Sequence, residues 1–149
     1  MLLTHFMKSL IRFFQLNFLP RSVDLALLVL RLWLGLTMLI NHGRGKLMGF
    51  GSMAEKFADP FGVGPTVSLS MAVFAEVVCA GLLALGLLTR FAALVLIILM
   101  TVAFFFVHGR AMSGPASGEL AFIYLAGFVA IFLAGPGRFS VDRKLGGAV

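Results

Sequence analysis

The sequence predicts an all-α integral membrane protein: a four-helix bundle preceded by an N-terminal helix lying in the membrane interface. Three observations predict it. Of the 149 residues, 60% are hydrophobic and only 12% charged, and the mean hydropathy is +1.06, so charge is too scarce to coat a soluble globule of this size. Four apolar stretches approach the roughly 20 residues that a helix needs to cross a hydrocarbon core. The 12 Lys and Arg against 6 Asp and Glu fall mostly at the ends of those stretches, where they act as a topology signal. They form no dense run interleaved with aromatic residues, which argues against a nucleic-acid surface.

The elements follow in order. Residues 1–20, MLLTHFMKSLIRFFQLNFLP, are interrupted by Lys8 and Arg12 and lack a small-residue cleavage site, so they do not read as a signal peptide. Lys8, Arg12 and Gln15 share one helical face while Phe6, Leu10, Phe13 and Phe14 take most of the rest, the pattern of a helix lying in the interface. Residues 21–145 form the bundle, with crossings expected from Val23 to Ile40, Thr66 to Leu88, Phe91 to Val107 and Leu120 to Gly135; residues 146–149 are a tail. The second and third crossings are expected to form a tight hairpin about Thr89 and Arg90. The Gly- and Pro-rich segment between the first two reads as a loop dipping into the outer headgroups or a lid. Gly135, Pro136 and Gly137 stop the last helix for backbone reasons. Lys8, Arg12, Arg21, Arg90, Arg138, Arg143 and Lys144 lie on one side and Arg44, Lys46, Lys56 and Arg110 on the other, which favours cytoplasmic termini.

Polar residues within an apolar crossing point to chemistry, because each charge costs about 2.5–3.5 kcal/mol to insert and therefore faces the bundle and meets a partner. Arg31 and Glu76 lie near the middles of consecutive, antiparallel crossings, so a buried Arg31–Glu76 pair is expected. Ala72, Glu76, Ala80 and Ala84 recur every four residues, a stripe of small side chains that admits a neighbouring helix. Asp24, Arg31 and His42, with Gly35 beside them, share a sector of the first crossing, and Arg90, Thr101 and His108 one of the third. At the outer end, His42, Lys46, His108 and Glu119, with Arg44 and Arg110, are expected to form a mouth that shuttles protons, binds an anionic headgroup or holds a quinone carbonyl. Snorkelling that merely sets topology is the competing account of Arg44, Lys56 and Arg110, and a structural ion pair that of Arg31 and Glu76. A haem between His42 and His108 would need both rings across one plane, and no short motif supports a metal. Trp33 is expected to pack inside, and Phe104, Phe105 and Phe106 to pack or face lipid. Cys79, the one cysteine, excludes an internal disulfide or CxxC pair, so redox chemistry would need a borrowed cofactor.

From about Leu25 to Leu145 the pattern resembles the DoxX family of small four-helix bacterial membrane proteins, related to the small subunit of thiosulfate:quinone oxidoreductase. The residues that carry it are LRLWLGL with Arg31, HGRGKL with Gly43 and Lys46, AEVVCAGLLALGLLTRFAAL with Glu76, Gly81, Gly86, Thr89 and Arg90, FVHG with His108, then Glu119, and GPGRFSVDRKLG with Gly135, Pro136, Gly137, Ser140 and Asp142. The resemblance implies a multi-pass protein of the bacterial inner membrane serving as a subunit or partner of a soluble or membrane oxidoreductase in quinone, sulfur or oxidative-stress redox. Quinone is the cofactor it suggests. A solute-permeation module, which four helices would build best as a homo-oligomer, and a non-catalytic anchor are the alternatives the residues leave open.

Overall fold

The computed structural model describes residues 2–16 and 21–146. Met1, residues 17–20 and residues 147–149 lie outside the described residues, as does the side chain of Phe6, and with them parts of the expected interfacial segment and tail. Among the described residues all regular structure is helical. In chain order these are α1 (Leu2–Phe14), α2 (Val23–Met48), the single turn α3 (Phe50–Met53), α4 (Pro65–Leu85), α5 (Thr89–Val107), α6 (Glu119–Ala134) and the short α7 (Val141–Lys144). Helices α2, α4 and α5 are long and apolar enough to cross a membrane, while α6 is a shorter apolar helix of 16 residues.

Local chemistry sets the ends. Ser22 caps α2, its side chain accepting the Leu25 N–H at 3.1 Å, and Asp24 complements the positive end of the helix. Pro65 opens α4, where its missing N–H costs nothing. Gly86 closes α4 with φ +71°; the Gly86 N–H reaches Leu83 O at 3.1 Å and the Leu87 N–H reaches Leu82 O at 2.9 Å, the paired bonds of a Schellman stop. The α4–α5 turn is therefore Gly86 to Leu88, with Leu88 also left-handed. Thr89 and Arg90, expected in the turn, belong instead to the first turn of α5.

Each long helix contains one widened π turn: Met38–Gly43 in α2, Phe74–Cys79 in α4 and Ala103–Val107 in α5. The i→i−5 bonds are explicit, with the N–H of Arg44 on Leu39 O, Ala80 on Ala75 O and His108 on Ala103 O. The first of these corrects the expected end of the first crossing. The helix does not stop at Ile40 where Asn41 and His42 begin a polar run, but continues through the π turn to Met48.

Packing is tightest where α2 meets α4. Gly35 lies so close that an added methyl would sit 2.8 Å from Ala80 O and 3.0 Å from Ala84 Cβ, and at Gly43 one would sit 2.6 Å from Glu76 O. Ala72, Ala80 and Ala84 are buried, so the small-residue stripe serves the close approach for which it is suited. Helix α5 packs along α6 and against the π turn of α4, and α2 also touches α6. Their core includes Met38, Leu83, Leu96, Tyr124, Phe128 and Ile131. The outer faces carry Val29, Phe74, Ile98 and Ile123, all exposed, while the mid-helix charges of Arg31 and Glu76 are buried. Trp33 is 70% exposed on that outer face of α2 rather than packed inside; Phe104 is buried, and Phe105 and Phe106 face out.

Gly43→Ala is expected to lower stability by about 1–3 kcal/mol, because the Glu76 backbone cannot yield to the methyl. Gly45→Ala, where an added methyl meets nothing within 4 Å, serves as the control and should be neutral or slightly stabilising. Thermal unfolding in detergent measures both; equal stability of the two variants would show that α2 and α4 do not touch at Gly43.

Candidate functional site

Two polar centres lie inside the helices, and Arg31 and Glu76 belong to different ones. The contacts of α2 on α4 fix an antiparallel register in which Arg31 reaches Leu83 and Ala84 while Gly43 faces Glu76. The two charged residues are thus separated by 8 residues along α4 (84 − 76) and 12 along α2 (43 − 31), about 12–18 Å of helical rise. Both face inward, Arg31 fully buried and Glu76 5% exposed, yet the expected pair does not form. The physical reason is axial: burial patterns fix the angle at which a side chain leaves a helix, not its height against the neighbour.

Arg31 sits at the end where α2 begins and α4 and α6 finish. Its Nη2 donates to Phe139 O at 2.8 Å, and its Nη1 lies 3.4 Å from both Leu83 O and Ala84 O. Gly86 packs directly on the guanidinium, with no room for a Cβ. The segment after α6 closes over this seat. Asp24 Oδ1 accepts the Arg138 N–H at 2.8 Å, and the Ser140 hydroxyl donates to Gly137 O at 2.6 Å while accepting the Arg143 N–H at 3.2 Å. Asp142 accepts the N–H of Leu88 at 2.7 Å and of Thr89 at 2.9 Å, capping α5. Partial burial would raise the Asp142 carboxyl, but those two N–H groups and the Arg31 charge outweigh it and hold the group below its usual value. This centre is a latch: the Arg31 Nη groups, Asp24, Ser140 and Asp142 all engage backbone and hold α2, α4, α5 and the chain after α6 together, while Arg31 Nε and the Thr89 hydroxyl are buried without a hydrogen-bond partner among the described residues.

The second centre is built differently. Lys46 Nζ donates to both carboxylate oxygens of Glu76, at 2.9 and 2.7 Å, and it is the one salt bridge among the described residues. The Lys46 side chain keeps 20% of its surface exposed against 6% for Glu76, so the pair is reachable from the lysine side. His42 precedes Lys46 by four residues and therefore shares its face. The imidazole feels both charges, and its ring meets Tyr124 edge-on, 5.7 Å between centroids at 89°. Tyr124 donates to Thr37 Oγ1 at 2.9 Å, the Thr37 hydroxyl in turn donates to Trp33 O at 2.6 Å, and Phe128 stacks on the tyrosine. Two of the three Lys46 donors go to Glu76, and no hydrogen bond engages the His42 ring nitrogens among the described residues. That leaves unspent donor capacity beside a buried carboxylate.

Of the residues expected at the outer mouth, His42 and Lys46 come together with Glu76. His108 caps the end of α5, its Nδ1 3.0 Å from Ala116 O, and Gly118 packs on its Cβ; Glu119 is exposed in the first turn of α6. Thr101 returns its hydroxyl to Ile97 O of its own helix. Tyr124 and Thr37 were not singled out by the sequence, although the one tyrosine of the chain, in the middle of an apolar run, is a signal of a buried hydroxyl in need of a partner.

The family model described as DoxX matches residues 26–109, a stretch that contains Arg31, His42, Lys46, Glu76 and Gly86. The chain belongs to the DoxX family. An uncharacterized protein of Haemophilus influenzae is 30% identical to this DoxX protein over 126 residues, covering 80% of this chain and 83% of the relative. No solved structure matches the chain. With three helices of spanning length and apolar outer faces, this DoxX protein is a membrane protein.

Lys46→Met leaves the Glu76 carboxylate buried without its cation and is expected to cost about 2–4 kcal/mol, at the lower end of the range for buried pairs because Lys46 is partly exposed. The double variant Lys46→Met, Glu76→Leu should recover most of the loss, and a double-mutant cycle of unfolding midpoints measures the coupling. Because the folded Asp142 carboxyl lies below its unfolded value, its stabilisation is present above the unfolded pKa of about 3.9 and is lost as pH falls through the lower folded value. Asp142→Asn should therefore be less stable than wild type at pH 7, and the difference should shrink with acidification below pH 4.

Proposed function

We propose that this DoxX protein is a membrane partner of an oxidoreductase and that its Lys46–Glu76 centre, with His42 and Tyr124, receives a quinone headgroup. The observation that carries the proposal is the unspent donor capacity at Lys46 and His42, which share one face beside a buried carboxylate. A quinone carbonyl accepts one hydrogen bond from the third Lys46 N–H or from a protonated His42 nitrogen. Reduction to quinol takes up two electrons and two protons; the partner oxidoreductase supplies the electrons, and Lys46, Glu76 and His42 are the groups of this chain that hold and pass protons at the carbonyl oxygens. His108 and Glu119 line the approach to the centre rather than the centre itself. Arg31 is structural in this reading, held by the carbonyls of α4 and Phe139.

The topology that goes with this function has α6 as the fourth crossing, α1 lying in the interface with Met7, Leu10, Ile11, Phe13 and Phe14 exposed along it, and the bundle domain spanning residues 21–145. The membrane is the bacterial inner membrane, with both termini cytoplasmic; the basic residues near the two ends of the chain support that orientation.

The test is binding of a short-chain quinone analogue to the purified protein. At a hundredfold excess over Kd, a ligand of the folded state stabilises it by about 2.7 kcal/mol, which should appear as a raised unfolding temperature. Lys46→Gln should abolish the rise. No rise in the wild type at saturating analogue would sink the proposal, and a solute flux in proteoliposomes that Glu76→Gln abolishes would replace it with permeation.

A further inference from the structure

At the end of the bundle closed by the latch, both carboxylates that could balance its positive charge are turned onto backbone. Asp24 is engaged by the Arg138 N–H, and Asp142 by the N–H groups of Leu88 and Thr89. The side chains of Arg90, Arg138, Arg143 and Lys144 are exposed at that end, and no salt bridge reaches them among the described residues. Exposed apolar side chains are interleaved with them: Leu88, Phe91, Phe139 and Leu145. Arg90 lies along Phe132, donating from Nε to Phe132 O at 3.0 Å with its guanidinium carbon 5.5 Å from the ring centroid. Because α5 begins at Thr89 and α6 ends at Ala134, these cations sit within a turn or two of the apolar helices, and the latch fixes the backbone that displays them.

We propose that this end of the protein binds the phosphodiester headgroups of anionic phospholipids. Arg138, Arg143 and Lys144 contact the phosphates, and Phe139 and Leu145 lie among the first carbons of the acyl chains. The interleaving of exposed Phe and Leu with cations favours a lipid over an acidic protein, since such a ring matches a boundary that is charged above and apolar below. The proposal does not depend on what the Lys46–Glu76 centre binds.

The experiment reconstitutes the full chain in phosphatidylcholine vesicles and compares the association of spin-labelled phosphatidylglycerol and spin-labelled phosphatidylcholine with the protein boundary. The expected result is selectivity for phosphatidylglycerol that falls at high salt and drops about fivefold for each cation removed in Arg143→Gln and Lys144→Gln. Lys56→Gln, in the loop at the opposite end, should retain the selectivity, and circular dichroism of each variant verifies that the helices persist. Equal association of the two lipids would overturn the proposal and leave the surface to an acidic protein. Selectivity undiminished in the double variant Arg143→Gln, Lys144→Gln would overturn it as well.

Discussion

A guanidinium with no access to water governs the architecture. Arg31 cannot shed its charge, because arginine stays protonated in proteins, so its burial among apolar helices is tolerated only where the surroundings supply oxygen. Those oxygens come from the end of α4 and from Phe139 beyond α6, with the Asp142 carboxylate nearby. Three separate stretches of chain are thereby held to one point. Gly86 is a glycine for two reasons at once, since its backbone is left-handed and a Cβ would strike the guanidinium.

That anchorage separates the work of the two polar centres. Around Arg31, Asp24, Ser140 and Asp142 are all spent on backbone partners, so the site behaves as a rigid fitting. Around Glu76 the accounting is different: one cation bonds both carboxylate oxygens, a histidine stands beside it with idle ring nitrogens, and the tyrosine beyond is occupied by Thr37. A buried pair with spare donors and a partly exposed lysine is poorly suited to mere cohesion, because a hydrophobic replacement of equal volume would hold the helices at least as well.

Much of this was legible in the sequence, and the failures have separate physical causes. Hydropathy located the apolar helices to within a few residues at most ends, and the four-residue spacing of Ala72, Glu76, Ala80 and Ala84 identified a face that is indeed buried. The inward direction of Arg31 and Glu76 followed from the cost of showing charge to hydrocarbon. What did not follow was the sliding register of α2 on α4, which depends on Gly35 and Gly43 meeting Ala80, Ala84 and the Glu76 backbone, nor the continuation of α2 past His42. A helix expected to end at Ile40 leaves Lys46 in a loop; only once the helix runs on does Lys46 arrive beside Glu76. The exposed Trp33 was misjudged because an aromatic ring in mid-crossing is equally at home in lipid.

The π turns tie chemistry to chain length. Each lodges a surplus residue, and the wide turn at Met38–Gly43 stands between the part of α2 that seats Arg31 and the part that carries Lys46. Excising a single residue there would restore ordinary winding with the flanking stretches of α2 still facing much as before, whereas the same excision from a regular turn would rotate everything downstream by about 100° and swing the lysine off the carboxylate. Of all the stretches of α2 between Arg31 and Lys46, this wide turn is therefore the one that tolerates a chain shorter by one residue.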